Sequence, residues 1–181
     1  MTKVYIQKWN KEDAPWQWIL ADILKRDYHM EEMPEILKDD FGKPYFGDGK
    51  LHFNVSHSEE YLAIAISEYP IGVDIQGPKN IREGMYKKVV QPQEAKLIGE
   101  ERVQDFLRLW TLKESFVKAE GRGLRIPMKD YYFQKENGCY FVNYDGQRMQ
   151  WTFNIEETLV EGYFISACGM EEQVQWILNQ E

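Results

Sequence analysis

Residues 110–121 are Trp-Thr-Leu-Lys-Glu-Ser-Phe-Val-Lys-Ala-Glu-Gly, and this stretch predicts a helix that ends at the glycine. At helical spacing, Glu114 and Lys118 lie on one face, with Trp110 one turn before them and Lys113 alongside. A carboxylate between ammonium groups is the kind of side-chain set that can bind a metal ion and phosphate. A Glu followed four residues later by a Lys is also a common solvated pair, so the stretch needs a partner site.

Residues 70–76 supply a candidate partner, because their pattern predicts a strand with Asp74 and Gln76 on one face. Upstream, residues 53–58 form a polar cluster before an apolar, β-branched run at 61–66 that predicts a buried strand. We therefore expect Asn54, Ser56 and His57 to lie on a tight connection before that strand.

Four motifs together resemble the 4′-phosphopantetheinyl transferase superfamily, specifically its surfactin-synthetase-activating branch. They are residues 41–44 (Phe-Gly-Lys-Pro), 53–58, 71–75 and 110–121, in the family's order and approximate spacing. The resemblance implies an α+β fold of two similar halves related by a pseudo-twofold, each a helix packed on an antiparallel sheet. It also implies transfer of the phosphopantetheine arm of coenzyme A to a serine of an apo acyl or peptidyl carrier protein, with release of 3′,5′-ADP. The implied metal is Mg²⁺, with Mn²⁺ as the alternative.

The resemblance also implies roles for individual residues. It makes Glu114 and Lys118 catalytic, with Glu114 accepting the serine proton. Lys43, Ser56, His57, Lys113 and Lys118 would contact coenzyme A, Asp74, Gln76 and Glu114 would bind the metal, and Glu94 matches a further family acid only weakly. These residue types suit the chemistry, since Mg²⁺ takes oxygen ligands and phosphate oxygens need donors.

The chain departs from the family pattern in two places. Gln76 stands where many relatives have a second acid, so we expect weaker metal binding or a water in place of a direct ligand. Relatives also usually have more residues at the start, some of them basic and in contact with the nucleotide. The candidates to replace those basic residues in this chain are Lys8, Lys11, Lys25 and Arg26.

Three hypotheses follow for the function. The transferase is favoured. A magnesium-dependent pyrophosphate hydrolase would use similar acids without needing a carrier, and a degenerate relative would bind coenzyme A or carrier protein without catalysis. Taken singly, each residue also has an ordinary structural interpretation: a core tryptophan at 110, a strand-edge acid at 74, a solvated lysine at 118.

The composition narrows the class of partner. The 181 residues carry a net charge of −8, which argues against nucleic acid as a general partner. The charge is segregated, because residues 79–88 hold four basic side chains and one acid, whereas 155–181 hold six acids and no base. Carrier proteins of this system are typically acidic, so we expect docking through Lys79, Arg82, Lys87 and Lys88; an ordinary solvated helix is the alternative.

Other features indicate an intracellular protein. No apolar run approaches the length that crosses a bilayer, so we expect a cytoplasmic monomer without membrane contact. Cys139 and Cys168 lie far apart in strand-like sequence, where we expect both to be buried and reduced.

The remaining pattern divides the chain into halves at 1–78 and 79–181. In the first half, the pattern predicts a strand at 4–6, then a helix capped by Asp13 with Pro15 in its first turn. Strands are predicted to follow at 51–55, 61–67 and 71–76. The second predicts helices at 81–89, 92–99 and 102–120, then a meander with turns at Asn137-Gly138 and Asp145-Gly146 and a last strand at 162–169. Asp74 and Glu114 would then meet in a cleft between the halves.

Overall fold

The chain folds as an α+β protein whose two main sheets pack face to face, each covered by a helix. The computed structural model describes residues 1–12, 14–122 and 126–179. Its α-helices are α1 (Trp16–Tyr28), α2 (Glu83–Val89) and α3 (Arg102–Glu120), with 3₁₀ turns at Pro92–Leu97 and Met128–Asp130. Its strands are β1 (Thr2–Lys8), β2 (Ile36–Lys38), β3 (Pro44–Phe46), β4 (His52–Ser58), β5 (Tyr61–Ser67), β6 (Gly72–Gln76), β7 (Tyr131–Glu136), β8 (Cys139–Tyr144), β9 (Gln147–Arg148), β10 (Thr152–Glu156), β11 (Phe164–Gly169) and β12 (Val174–Leu178).

The two main sheets have the strand orders β12-β1-β5-β4 and β10-β11-β6. Successive side chains of a strand point to opposite faces of its sheet, and in both sheets apolar side chains are buried on each face. Val4 and Ala65 of the first sheet pack against Val73 and Ile165 of the second in the central layer. The outer face of the first sheet buries α1, and the outer face of the second buries α3 together with the β7–β8–β9 meander. The predicted α+β class, with helices packed on antiparallel sheets, is confirmed.

Helix α3 has the bounds predicted for it and lies unusually close to β6. Gly121 ends it in the left-handed region at φ 74°, where its N–H donates to the Val117 carbonyl at 3.2 Å. A Cβ added at Gly72 would lie 2.1 Å from the Ser115 carbonyl oxygen and 2.4 Å from the Ala119 nitrogen. Glycine at position 72 therefore permits the contact between α3 and the sheet.

Helix α1 was predicted correctly, but its start was not. It buries Leu20, Ile23 and Leu24 and ends at His29, which has φ 55°. Pro15 is the extended residue before the helix rather than part of the first turn. The predicted cap, Asp13, lies outside the described residues.

The meander has the predicted turns, since Asn137-Gly138 and Asp145-Gly146 all have positive φ angles of 50–84°. The prediction of two buried cysteines was half wrong, because Cys168 is buried in β11 whereas Cys139 is exposed in β8. Among the described residues, no helix combines the length and the apolar character that crossing a membrane requires.

Strand pairing departs from the predicted order in two ways. The strand at 162–169 is not the last, because β12 follows it and pairs in parallel with β1. In addition, β6 pairs with β11 rather than with the other strands of residues 1–78. The sheets therefore exchange strands across position 78. Two short helices differ less from their predictions. The helix predicted at 81–89 spans Glu83–Val89, and the one predicted at 92–99 is a 3₁₀ turn at Pro92–Leu97.

Candidate active site

The free edge of β6 is hydrogen-bonded by side chains of β4 instead of by another strand. Asn54, Ser56 and Ser58 alternate along β4, so all three point to the same face. The Asn54 side-chain oxygen accepts from the Val73 N–H at 2.8 Å, and the Ser58 hydroxyl oxygen accepts from the Gly77 N–H at 3.0 Å. These bonds join the two sheets where the predicted site lies.

Asp74 is the centre of this edge and is only 2% exposed. Its Oδ1 accepts from the Ser56 hydroxyl at 2.8 Å and from the Lys118 ammonium at 2.7 Å, while its Oδ2 accepts from the Gln76 amide at 2.8 Å. Lys118 also donates to the Val73 carbonyl at 3.0 Å. Hydrogen bonds to a charged donor are stronger than those between neutral groups, so these contacts hold the carboxylate in one position.

Glu114 lies one helical turn before Lys118 and is half-buried. Desolvation raises the pKa of its carboxyl group, and the negative charge of Asp74 raises it further, against the opposing effect of Lys118. The carboxylate of Asp74, on β6, therefore lies close enough to that of Glu114, on α3, to act on it electrostatically. A cation placed there would relieve their repulsion, and a carboxyl of raised pKa is suited to accept a proton.

A cavity of about 230 Å³ opens beside Glu114. Gln76 and Lys79 form its polar end with Glu114. Its apolar wall comes from α2, α3 and the segment before α2, and the residues are Ile81, Met85, Phe106, Leu107 and Trp110. Trp110 thus borders the site and also packs against Phe106, with ring centroids 6.0 Å apart.

His57 does not lie with Ser56, because the two are neighbours on a strand and not on the predicted tight connection. Alternation turns His57 to the opposite face, where it is exposed and its ring centroid lies 5.1 Å from that of Trp9. Both rings line a second cavity of about 710 Å³ with Lys11, Glu59 and Tyr163. Glu59 and Tyr163 also border Gly77, just beyond the end of β6.

Lys43 was predicted to contact coenzyme A, but its ammonium group binds main-chain carbonyls. It donates to Lys118 O at 2.5 Å, and Ile71 O and Ala119 O are each 3.4 Å away. Desolvation lowers the pKa of this lysine. The side chain therefore joins the end of α3 to the start of β6, behind the carboxylates.

Lys113 was also predicted to contact coenzyme A, but its side chain lies in the core. Lys113 is fully buried, and its ammonium nitrogen lies 2.9 Å from Oε2 of Glu94, which is also fully buried. The other carboxylate oxygen of Glu94 accepts from the Phe133 N–H at 2.8 Å. The helical stripe failed here because adjacent residues point about 100° apart on a helix, which directs Lys113 into the core while Glu114 faces the cavity.

Comparison with known proteins shows the family of the chain. A family model described as the 4′-phosphopantetheinyl transferase superfamily matches residues 70–168, which include Asp74, Glu114 and Lys118. The chain belongs to this superfamily.

The curated relatives are bacterial transferases. The chain is 31% identical over 182 residues to the 4′-phosphopantetheinyl transferase gsp of Aneurinibacillus migulanus, covering 95% of this chain and 76% of that protein. It is 33% identical over 134 residues to the 4′-phosphopantetheinyl transferase Sfp of Bacillus subtilis (strain 168), covering 68% of this chain and 59% of that protein. A third relative, the 4′-phosphopantetheinyl transferase ffp of Bacillus subtilis, is 34% identical, with coverage of 68% and 59%.

The donor set of this superfamily member fits a magnesium ion. Mg²⁺ binds through one or two carboxylates and fills its other positions with waters and substrate phosphates, and Asp74 and Glu114 supply two carboxylates. No group of three or more His, Cys, Asp or Glu side chains placed to hold a metal occurs among residues 1–12, 14–122 and 126–179. The amide oxygen of Gln76 accepts from Lys79 at 2.7 Å, so it is engaged by an ammonium group in this structure.

Two features of the site escaped sequence reasoning. The bonds from Asn54 and Ser58 to β6 were missed, although the spacing Asn-x-Ser-x-Ser over 54–58 carries the period of a strand. The bond from Lys79 to Gln76 was missed because Lys79 was considered only as a member of the basic stretch. Of the lysines proposed for the nucleotide, only Lys11 is among the residues that line the His57 cavity.

Proposed function

We propose that this protein transfers the 4′-phosphopantetheine arm of coenzyme A to a serine of an apo acyl or peptidyl carrier protein and releases 3′,5′-ADP. The observation that carries the proposal is the joining of Asp74 to Lys118 at 2.7 Å, with Glu114 beside them on an open cavity. The chemistry needs carboxylates and a cation around a pyrophosphate, and these three residues supply both.

The transfer exchanges one phosphorus–oxygen bond for another. The serine oxygen bonds to the phosphorus that carries the pantetheine arm, while the bond from that phosphorus to the bridging oxygen breaks and 3′,5′-ADP leaves with the electron pair. Glu114 accepts the serine proton, for which its raised pKa is suited. Lys118 neutralises charge on the phosphates, and its bonds to Asp74 and Val73 hold it in place.

Asp74 and Glu114 would hold the magnesium ion. When bound, the ion supplies positive charge that stabilises the pyrophosphate and the leaving nucleotide. Ser56 keeps Asp74 oriented by donating to its Oδ1, and the burial of Asp74 fixes that carboxylate in one position. The protein would therefore bind the metal directly through two carboxylates. Gln76 would keep its hydrogen bond to Lys79 and would not be a ligand.

The nucleotide end of coenzyme A is assigned to the cavity beside His57. Trp9 and His57 offer ring faces for an adenine base, and Lys11 offers a cation for a phosphate group. The position of this cavity next to Gly77 places it beyond the same end of β6 that carries Asp74. One extended substrate could therefore reach both places.

The carrier protein is assigned to the basic stretch that includes α2. Arg82, Lys87 and Lys88 are exposed, whereas the one acid of the stretch, Glu83, pairs with Arg102 at 2.8 Å. Tyr86 anchors α2 on α3 by packing against Phe106, with ring centroids 4.6 Å apart. Within the described part of the chain, Arg82, Lys87 and Lys88 form no ion pair, and Ile81 and Met85 of the same stretch line the Glu114 cavity, so the stretch suits an acidic partner.

The deciding experiment is a transfer assay read by intact mass. The protein is incubated with coenzyme A, magnesium and a panel of apo carrier proteins, with and without chelator. A phosphopantetheine adduct that chelator abolishes is the expected result, and Glu114→Gln should form none while folding normally. An adduct of equal yield in excess chelator would contradict the metal-dependent mechanism. Coenzyme A binding without an adduct on any carrier would instead favour a non-catalytic binding protein.

A further inference from the structure

Lys79 is linked to Asp74 of the candidate active site by hydrogen bonds through Gln76. The Gln76 amide nitrogen donates to Asp74 Oδ2 at 2.8 Å, and its oxygen accepts from the Lys79 ammonium at 2.7 Å. One buried amide therefore connects this exposed lysine to the central carboxylate. Among the described residues, the side chains that hydrogen-bond to Asp74 are Ser56, Gln76 and Lys118, so no other basic residue of 79–88 is linked to it in this way.

The two ammonium groups approach Asp74 from different sides. Lys118 binds Oδ1 directly, whereas Lys79 lies on the side of Oδ2, held by Gln76. Lys79 also lines the cavity that contains Glu114. An anion in that cavity would thus meet the Lys79 ammonium group, while Lys118 holds the other oxygen of the Asp74 carboxylate.

Glutamine at position 76 determines what Lys79 can do. A carboxylate there would form an ion pair with Lys79 and neutralise its charge. The neutral amide fixes the lysine with a single hydrogen bond and leaves its positive charge uncompensated by that residue. Compared with an acid at position 76, glutamine therefore removes a negative charge from the site. It also leaves the positive charge of Lys79 available to bind an anionic ligand.

We propose that Lys79 is a second phosphate-binding residue of the active site, held in position by Gln76, in addition to any part that it has in carrier docking. This inference rests on the proposed function, because the phosphates are those of coenzyme A. Lys79 and Lys118 bind the pyrophosphate from opposite ends of the Asp74 carboxylate. Coenzyme A binding in this chain then depends less on the metal than it would with a third acid.

Direct titration of coenzyme A by calorimetry tests the proposal without requiring turnover. Lys79→Ala is expected to weaken binding about tenfold in the presence of chelator, since a hydrogen bond to a charged group is lost, and Lys79→Arg is expected to restore most of the affinity. The loss should be smaller with saturating magnesium. Lys96→Ala is the matched control, because it removes another exposed lysine from a different element and should bind coenzyme A like wild type.

The positioning role of Gln76 is tested by a double-mutant cycle. Gln76→Ala should weaken metal-free coenzyme A binding, and the double variant with Lys79→Ala should be little weaker than either single variant. Gln76→Glu should also reduce metal-free affinity, because the new carboxylate pairs with Lys79, while it tightens magnesium binding. Additive effects of the two alanine substitutions would overturn the positioning role.

Lys87→Ala provides the comparison with docking, and it is expected to raise the KM for carrier protein. The proposal is overturned if Lys79→Ala binds coenzyme A like wild type and changes only the KM for carrier, as Lys87→Ala does. Failure of the proposed function gives a different result: wild-type protein would bind coenzyme A with the predicted dependence on Lys79 but modify no carrier. Wild-type protein that binds no coenzyme A would overturn both.

Discussion

The contact between Gly72 and α3 gives the sharpest test of how the fold positions the site. In Gly72→Ala the new Cβ would lie 2.1 Å from the Ser115 carbonyl oxygen, whereas ordinary contact begins near 3.4 Å. The two nearest atoms that this Cβ would meet, the Ser115 oxygen and the Ala119 nitrogen, both belong to the backbone of α3, so α3 and β6 must separate by about 1.3 Å, the difference between 3.4 and 2.1 Å. Overpacking of this kind costs about 2 to 3 kcal/mol, which corresponds to a fall in Tm of about 5 to 10 °C for a chain of this size.

The same separation acts on catalysis, because the 2.7 Å bond from Lys118 to Asp74 crosses the interface between α3 and β6. A displacement of about 1 Å at a reacting group lowers the rate by about a hundredfold. Calorimetric melting and the carrier-modification rate of the same preparation measure the two effects. Gly84→Ala is the control for melting only, because α2 belongs to the proposed docking surface: no described residue lies within 4 Å of its new Cβ, and alanine in that helix should stabilise by up to about 1 kcal/mol. A Gly72→Ala protein that melts and turns over like wild type would refute the reasoning.

Three further predictions concern particular contacts. Glu94→Gln should lower the free energy of unfolding by about 3 to 5 kcal/mol, because it removes the carboxylate partner of the fully buried Lys113 amine. Chemical denaturation measures this, and a loss below about 1 kcal/mol would contradict it. Ser56→Ala should destabilise by about 1 to 3 kcal/mol since Asp74 loses a donor, whereas His57→Ala should leave stability unchanged and raise the KM for coenzyme A. Iodoacetamide should label Cys139 in the native protein and Cys168 only after denaturation, as peptide mass mapping would show; equal labelling of both thiols in native protein would argue against this packing.

The sequence predicted α3 and its end because the signals are local. A helical apolar pattern over 102–120 followed by a glycine in the left-handed region needs no knowledge of distant residues. The hairpin turns at 137–138 and 145–146 are local in the same sense. Asp74 and Lys118 were named from a family resemblance, and the fold brings these two residues into contact.

Contacts between distant segments were harder to predict. Lys113 and Glu94 are nineteen positions apart, and nothing in their sequence neighbours predicts that the two side chains form a buried pair. The strand β12 was missed because its partner, β1, lies at the opposite end of the chain. Parallel pairing of chain termini leaves no turn or spacing that a sequence pattern could reveal.

The amino-acid sequence by itself determined the elements that have local causes, the segregation of charge, and the residue types available for chemistry. Tertiary structure alone decided which of those residues lie close together in the folded protein. It separated His57 from Ser56 by strand alternation, turned Lys113 into the core beside Glu94, and joined Lys79 to Asp74 through Gln76. The physical reason is that burial and charge pairing depend on what faces a side chain from other segments, which spacing along one segment cannot specify.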